Sequence, residues 1–255
     1  MTEKTSLEQE YKRTQDIFNG FMKWIMFYKM DEGRNPNFYK NHLFSVLNQD
    51  YIESIFATPI LVKEGILNPT IRESRYILEM SIKIAFIQQK DYSLSIEEKL
   101  EKYKKKINTS KISHFKELNL SMLKNESQKN FLEDCGRFYG QSSDYIHLTT
   151  KQFDSRKKAV DNGLHIGFET LEMLTELNDF LEKIYSLSIV LMMHSIPEYI
   201  SGDWLVESNG KTIDWIFTKS KYIAEIDSFF DYKHERKHQL KEITEKRAER
   251  IKYFA

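Results

Sequence analysis

Leu164-His-Ile-Gly-Phe-Glu-Thr-Leu-Glu-Met-Leu-Thr-Glu-Leu-Asn-Asp-Phe-Leu-Glu-Lys-Ile-Tyr-Ser-Leu-Ser-Ile-Val-Leu191 is the stretch that decides the fold. Leu164, Phe168, Leu171, Leu174, Leu177, Leu181, Ile184, Leu187 and Leu191 recur at steps of three and four. That period is one face of an α-helix, held over about four heptads as in a central bundle helix or a dimer seam. A helix over about Leu164 to Ile196 is therefore predicted. Its most apolar part, Ile184 to Ile196, carries Tyr185, Ser186, Ser188 and His194 and is shorter than the roughly 20 residues a membrane span needs. It reads as a buried helix end, with no membrane partner.

The same period recurs toward the N-terminus. Tyr11, Ile17, Phe18, Phe21, Met22, Trp24, Ile25 and Tyr28 mark an amphipathic helix over Leu7 to Met30. Asn48-Gln49-Asp50 suggests a cap before a second helix, Tyr51 to about Ile66, bent at Pro59. Asn68-Pro69 places proline at the first position of a third helix, about Thr70 to Lys90. Small helices are expected between 91 and 125, with a lysine run as a solvated face, and a fourth long helix over about Ser127 to His147. A polar connection, Lys151 to Asp161, then leads into the Leu-rich helix.

Past Pro197 the pattern changes. Asn209-Gly210 between two β-prone runs signals a small hairpin within Trp204 to Phe217, followed by a charged helix from Tyr222 to Phe254. The expectation is an all-α, multi-helix bundle over 1–199, with 200–255 as a hairpin plus charged helix packed on the same domain.

Composition supports long regular elements. Hydrophobic residues make up 40% and aromatics 13% of the 255 residues, with 4 prolines and 9 glycines, which excludes wholesale disorder. Basic and acidic residues balance at 38 each, so a nucleic-acid or membrane-surface partner would have to use a local patch. The single cysteine, Cys135, excludes an internal disulfide, fits a reducing compartment and reads as a buried small hydrophobe. The first ten residues lack the apolar core of a secretory signal, so a cytoplasmic location is expected.

Two constellations could carry chemistry. Arg72, Arg75, Glu79 and Lys83 fall within one narrow stripe of the third helix, flanked by apolar residues, where charges need partners. The stripe is either a structural network built on the Arg75 to Glu79 i,i+4 pair, or an anion site using Arg72 and Arg75. On the fourth helix, Gly136, Gly140, Ser143 and His147 form a small-residue groove that would let another helix approach until it meets the imidazole. His147 is either a cap or satisfied core group, or an acid–base residue titrating near neutral pH. His234 and His238 lack a carboxylate-rich context and read as surface, and no Gly-rich phosphate loop, Gly-x-Ser-x-Gly or His-Glu-x-x-His is present.

Arg72-x-x-Arg75-x-x-x-Glu79, followed about 60 residues on by Tyr139-x-x-x-Ser143-x-Tyr145-x-His147, resembles an uncharacterised bacterial branch of the HEPN-like helical superfamily over residues 50–195. That resemblance implies a small helical bundle that forms a homodimer. It further implies a metal-independent ribonuclease, with no cofactor, of a toxin–antitoxin or phage-defence system, acting on RNA beside a cognate protein. It assigns His147, Arg72, Arg75 and Glu79 to catalysis, with Tyr139, Ser143, Asp144, Tyr145 and Arg137 in support. The family's usual signature, an arginine followed a few residues later by a histidine in the same helix, is not met. Arg137 has nine residues between it and His147, which on a continuous helix is about 15 Å along the axis and about 80° in direction. His147 would need Arg72, Arg75 or a residue across a dimer seam. The alternative class is a non-catalytic helical module that binds a protein or RNA and uses the same cluster for structure.

Overall fold

The computed structural model describes residues 2–32, 40–109, 111–147, 149–163 and 170–254, and among them the fold is all-α, with two isolated β-bridges and no strand. Helices α1 (Thr2–Glu32), α2 (Leu43–Lys63), α3 (Leu67–Lys90) and α7 (Leu171–Met193) form the core of the bundle: α1 and α3 each pack against both α2 and α7. Each contributes a full apolar face, because period 3.6 puts Ile17, Phe21, Trp24, Ile25 and Tyr28 of α1 on one side, all at most 1% exposed. The second half of α7 is enclosed by neighbours, and every residue from Ile184 to Ile196 is buried, as its composition predicts. No helix among the described residues is long and apolar enough to cross a membrane.

Several polar groups inside the bundle pair across helices. Thr14 Oγ1 donates to Asn178 Oδ1 at 2.7 Å, Thr58 and Tyr185 share a hydroxyl bond at 2.7 Å, and Tyr51 and Ser81 share one at 2.9 Å. Arg13 of α1 reaches Asp179 and the buried Glu182 of α7. These bonds fix the register of helices whose apolar faces alone would allow sliding.

Several boundaries depart from the sequence reading for local reasons. Helix α2 starts at Leu43, not Tyr51, because His42 serves as its cap, its Nδ1 accepting the Phe44 N–H at 3.2 Å; Asn48-Gln49-Asp50 and Pro59 lie inside it. Helix α3 starts at Leu67, so Pro69 sits third, still within the turn whose N–H groups need no helical acceptor. Between them and α7 come α4 (Ile96–Ile107), a 3₁₀ turn (Ser113–Glu117), α5 (Asn125–Ser143) and α6 (Thr150–Asp161). The expected polar connection at 151–161 is thus α6, which begins where Thr149 Oγ1 accepts the Gln152 N–H at 3.1 Å. Leu164 and Phe168, the first members of the Leu-rich seam, lie outside the described residues.

Trp204 belongs to helix α8 (Glu198–Leu205), so the expected hairpin shrinks to a turn around Gly210 (φ 83°) with a single antiparallel bridge, Val206 to Thr212. The charged C-terminal helix is broken into α9 (Lys221–Phe229), a 3₁₀ turn (His234–Arg236) and α10 (Leu240–Arg250). These elements pack on the bundle. Trp215 Nε1 donates to the Gly20 carbonyl at 2.8 Å, where a Cβ on Gly20 would stand 2.6 Å from Ile216, and Trp204 meets Trp24 edge to face at 5.8 Å.

Candidate functional site

Helix α3 carries the first half of the site and α5, packed against it, the second. Arg75, buried with 9% of its surface exposed, donates from Nη2 to the Tyr139 hydroxyl at 2.5 Å and from Nε to Ser143 Oγ at 3.2 Å. Glu79 gathers the remaining charge: its carboxylate takes Lys83 Nζ at 2.7 Å, the Tyr139 hydroxyl at 3.1 Å and Arg75 Nη1 at 3.5 Å. Lys83 also donates to the Ile107 carbonyl at 2.9 Å, which ties the end of α4 to the stripe. Burial and the adjacent Glu79 push the Tyr139 hydroxyl up to about 12, so it stays a neutral donor and acceptor in the network.

The other half of the stripe is different. Arg72 is exposed, and its Nε donates to the carbonyl of Tyr145 at 2.5 Å. That carbonyl lies beyond the end of α5, because the helix stops at Ser143 and residues 144–146 form a turn. The expected helix through His147 is therefore wrong by four residues, and the axial distance from Arg137 drawn on a continuous helix does not apply. His147 stands exposed after the turn, with its own N–H bonded to the Ser143 carbonyl at 3.2 Å. In the orientation that satisfies its neighbours, the Gln152 amide holds this turn from α6 by donating to the Asp144 and His147 carbonyls at 3.3 and 3.2 Å.

No family model matches the chain, and neither a curated protein nor a solved structure does. The site has to be read from its geometry. The structure brings Arg72, Arg75, Glu79, Tyr139, Ser143 and Tyr145 together, and splits them into a buried group around Arg75 and an exposed pair of elements bearing Arg72 and His147. Arg137 is excluded from that group. It lies about 200° around α5 from Tyr139, pairs with Asp134 and rests over the Phe138 ring. Among the described residues nothing fills the small-residue groove at Gly140, where an added Cβ would meet nothing within 4 Å, while a Cβ on Gly136 would stand 3.6 Å from Phe115.

Sequence reading missed a second polar convergence, on the Arg137 side of α5. Its lysines come from α7, from the start of α9 and from the chain end, and share no spacing that a one-dimensional pattern could reveal. It also missed Lys99, which sits in the lysine run expected to be solvated yet is fully buried, donating to the Asn41 and Tyr92 carbonyls. Burial pushes its ammonium down to about 8.

The buried group carries a stability prediction. Glu79→Ala leaves the Arg75 guanidinium with two neutral oxygen partners and Lys83 with one carbonyl. Since Glu79 keeps 16% of its side chain exposed, water softens the loss, and the expected cost is about 2 kcal/mol, between a surface and a fully buried pair. Urea unfolding of the variant measures it. A loss below about 0.5 kcal/mol would show that the network adds nothing beyond a solvated surface pair.

Proposed function

We propose that this chain is a HEPN-like helical protein that cleaves RNA without a metal, as an effector of bacterial phage defence or of a toxin–antitoxin system. The observation that carries the reading is the Arg72 bond to the Tyr145 carbonyl, which holds an exposed guanidinium beside the turn that presents exposed His147. An arginine and an imidazole on neighbouring exposed elements suit a phosphodiester. His147, as the neutral base, takes the proton of the ribose 2′-hydroxyl, and that oxygen attacks the adjacent phosphorus. The bond to the 5′-oxygen breaks, and the protonated imidazole returns the proton to the leaving oxygen. Arg72 offsets the charge gathering on the phosphoryl oxygens. Arg75, Glu79, Tyr139 and Ser143 hold the end of α5 in place and act as positioning residues. The reading includes a homodimer seated on the open Gly140 face, with a cognate protein as a further partner.

The test compares wild type with His147→Ala and Arg72→Ala on single-stranded RNA, with circular dichroism confirming that the variants are folded. Each substitution is expected to lower cleavage at least about 100-fold, products should carry 2′,3′-cyclic phosphate ends, and a chelator should change nothing. A folded His147→Ala protein of full activity, or activity lost to the chelator, contradicts the assignment. One observation favours the second reading, a non-catalytic helical module for a protein or RNA. The Arg75–Glu79–Lys83–Tyr139 group bonds within itself and to the backbone, as a purely structural network does. A wild type that cleaves no RNA would leave that reading standing.

A further inference from the structure

On the side of α5 that carries Arg137, an open cleft of about 440 Å³ is lined by α5, α7, the start of α9 and the end of the described chain. That is within the size range of small-molecule sites, roughly 300–1,000 Å³. Four cations line it, Arg137, Lys183, Lys221 and Lys252, against two carboxylates, Glu133 and Asp134. Asp134 is already engaged, accepting from Arg137 and, at 2.7 Å, from the Tyr222 hydroxyl. Glu133 is exposed at the rim and reaches Lys129 at 3.8 Å. Lys183, Lys221 and Lys252 make no ion pair among the described residues. Folding thus gathers three ammonium groups without an ion pair, from three separate elements, around one concavity whose cations outnumber its carboxylates by two.

Like charges held together repel, and a concave wall with an excess of positive charge concentrates its field on whatever anion enters. The wall is fixed by its backbone. Helix α9 begins on the cleft at Lys221 and Tyr222, with the chain end laid across its first residue. The chain end that brings Lys252 is held like a strand: Lys252 N–H donates to the Lys219 carbonyl at 2.9 Å and Lys221 N–H to the Tyr253 carbonyl at 3.2 Å. Next to it Phe254 keeps a left-handed backbone (φ 62°), uncommon for a residue with a Cβ, while its ring packs on Tyr222 at 5.0 Å and Phe138 at 6.0 Å. Lys252 is therefore placed by a fixed backbone.

We infer that this cleft binds a small ligand bearing a polyphosphate chain, with Lys183, Lys221 and Lys252 as its phosphate contacts. Three point-charge donors spread around one cavity match several linked phosphate groups better than a single carboxylate, which one lysine would satisfy. The chain could come from a nucleoside diphosphate or from inorganic polyphosphate, and the experiment separates the two. The cleft and the Arg72/His147 pair share no residue, so either can fail without the other.

Calorimetric titration of the full chain at low salt with tripolyphosphate, ADP and adenosine is the test. Saturable binding of tripolyphosphate or ADP is expected, with Lys221→Ala and Lys252→Ala each weakening it about tenfold or more, and with Lys105→Ala, an exposed lysine on α4 that removes the same charge, leaving it unchanged. Equal affinity for the two anions assigns the site to the phosphate chain alone; tighter ADP adds recognition of the nucleoside. The inference is overturned if neither anion saturates the protein, if the two cleft variants bind as Lys105→Ala does, or if adenosine binds as tightly as ADP.

Discussion

Replacing Asp227 by alanine is expected to cost about 4 kcal/mol, a large fraction of the roughly 5–15 kcal/mol by which domains are stable. Asp227, 1% exposed, joins α9 to the turn and helix that follow. One of its carboxylate oxygens takes Arg236 Nη2 at 2.5 Å, and the other takes Arg247 Nε at 2.6 Å and Thr212 Oγ1 at 2.8 Å. Asp231 completes the group, bonded to Arg236 at 2.9 Å and to Arg247 at 2.7 and 3.0 Å. Arg236 is wholly buried, so deleting Asp227 strands a guanidinium charge that has one carboxylate left and no access to water. The breaking of one partner is what costs. Replacing both, as Asp227→Leu with Arg236→Met, should cost less than the Asp227→Ala change alone, because no buried charge is left unpaired. Urea unfolding of the two variants decides the matter. A loss below about 1 kcal/mol for Asp227→Ala would mean the group is solvated in practice.

Acidification should be nearly as costly, and through histidines rather than carboxylates. His42 and His194 are buried, and burial pushes their imidazoles down to about 3 and about 4. Geometry explains why His42 resists a proton. Its Nε2 faces the Ser195 carbonyl at 2.9 Å and must donate there, so Nδ1 is the acceptor of the Phe44 N–H and the Tyr28 hydroxyl. A proton on Nδ1 would confront two donors, with the Lys99 charge adding to the opposition. His194 Nδ1 donates to the Val190 carbonyl at 2.7 Å, and its Nε2 is buried with no partner among the described residues.

For both groups the folded value lies below the unfolded one, so as pH falls through about 6.5 the unfolded chain takes up the proton first. Their stabilising contribution is therefore complete above about 6.5 and drains away toward pH 3–4. From pH 7 to 5 each should remove about 2 kcal/mol. Unfolding free energies at the two pH values measure the sum. In His42→Asn, which keeps a capping side chain for α2, the difference between the two pH values should fall by about half. An unaltered difference in that variant would show that His42 does not carry the effect.

Spacing and residue type were enough to read the helices and what they bury, because period 3.6 is a local property. The α7 seam from Leu174 to Leu191, the α1 face from Ile17 to Tyr28 and the burial of Cys135 all follow from spacing and residue type. The i,i+4 relation of Arg75 to Glu79 was legible for the same reason. Ends of elements were not. Local pattern could not say that His42 caps α2, that α5 stops at Ser143 before His147, or that Trp204 lies within a helix, because helix ends are set by cap and turn geometry that periodicity does not encode. The roles of the charged residues emerge only once the helices are packed. Arg236, Arg247, Lys99 and Lys252 look alike in the sequence. Two of them close a buried group on Asp227 and Asp231, one donates to backbone carbonyls inside the core, and one faces an open cleft without an ion pair. What an ionised side chain does is set by the desolvation and the partners around it, and both depend on how the fold brings other elements against it, from the Asp231 turn beside Arg236 to the Asn41 carbonyl beside Lys99.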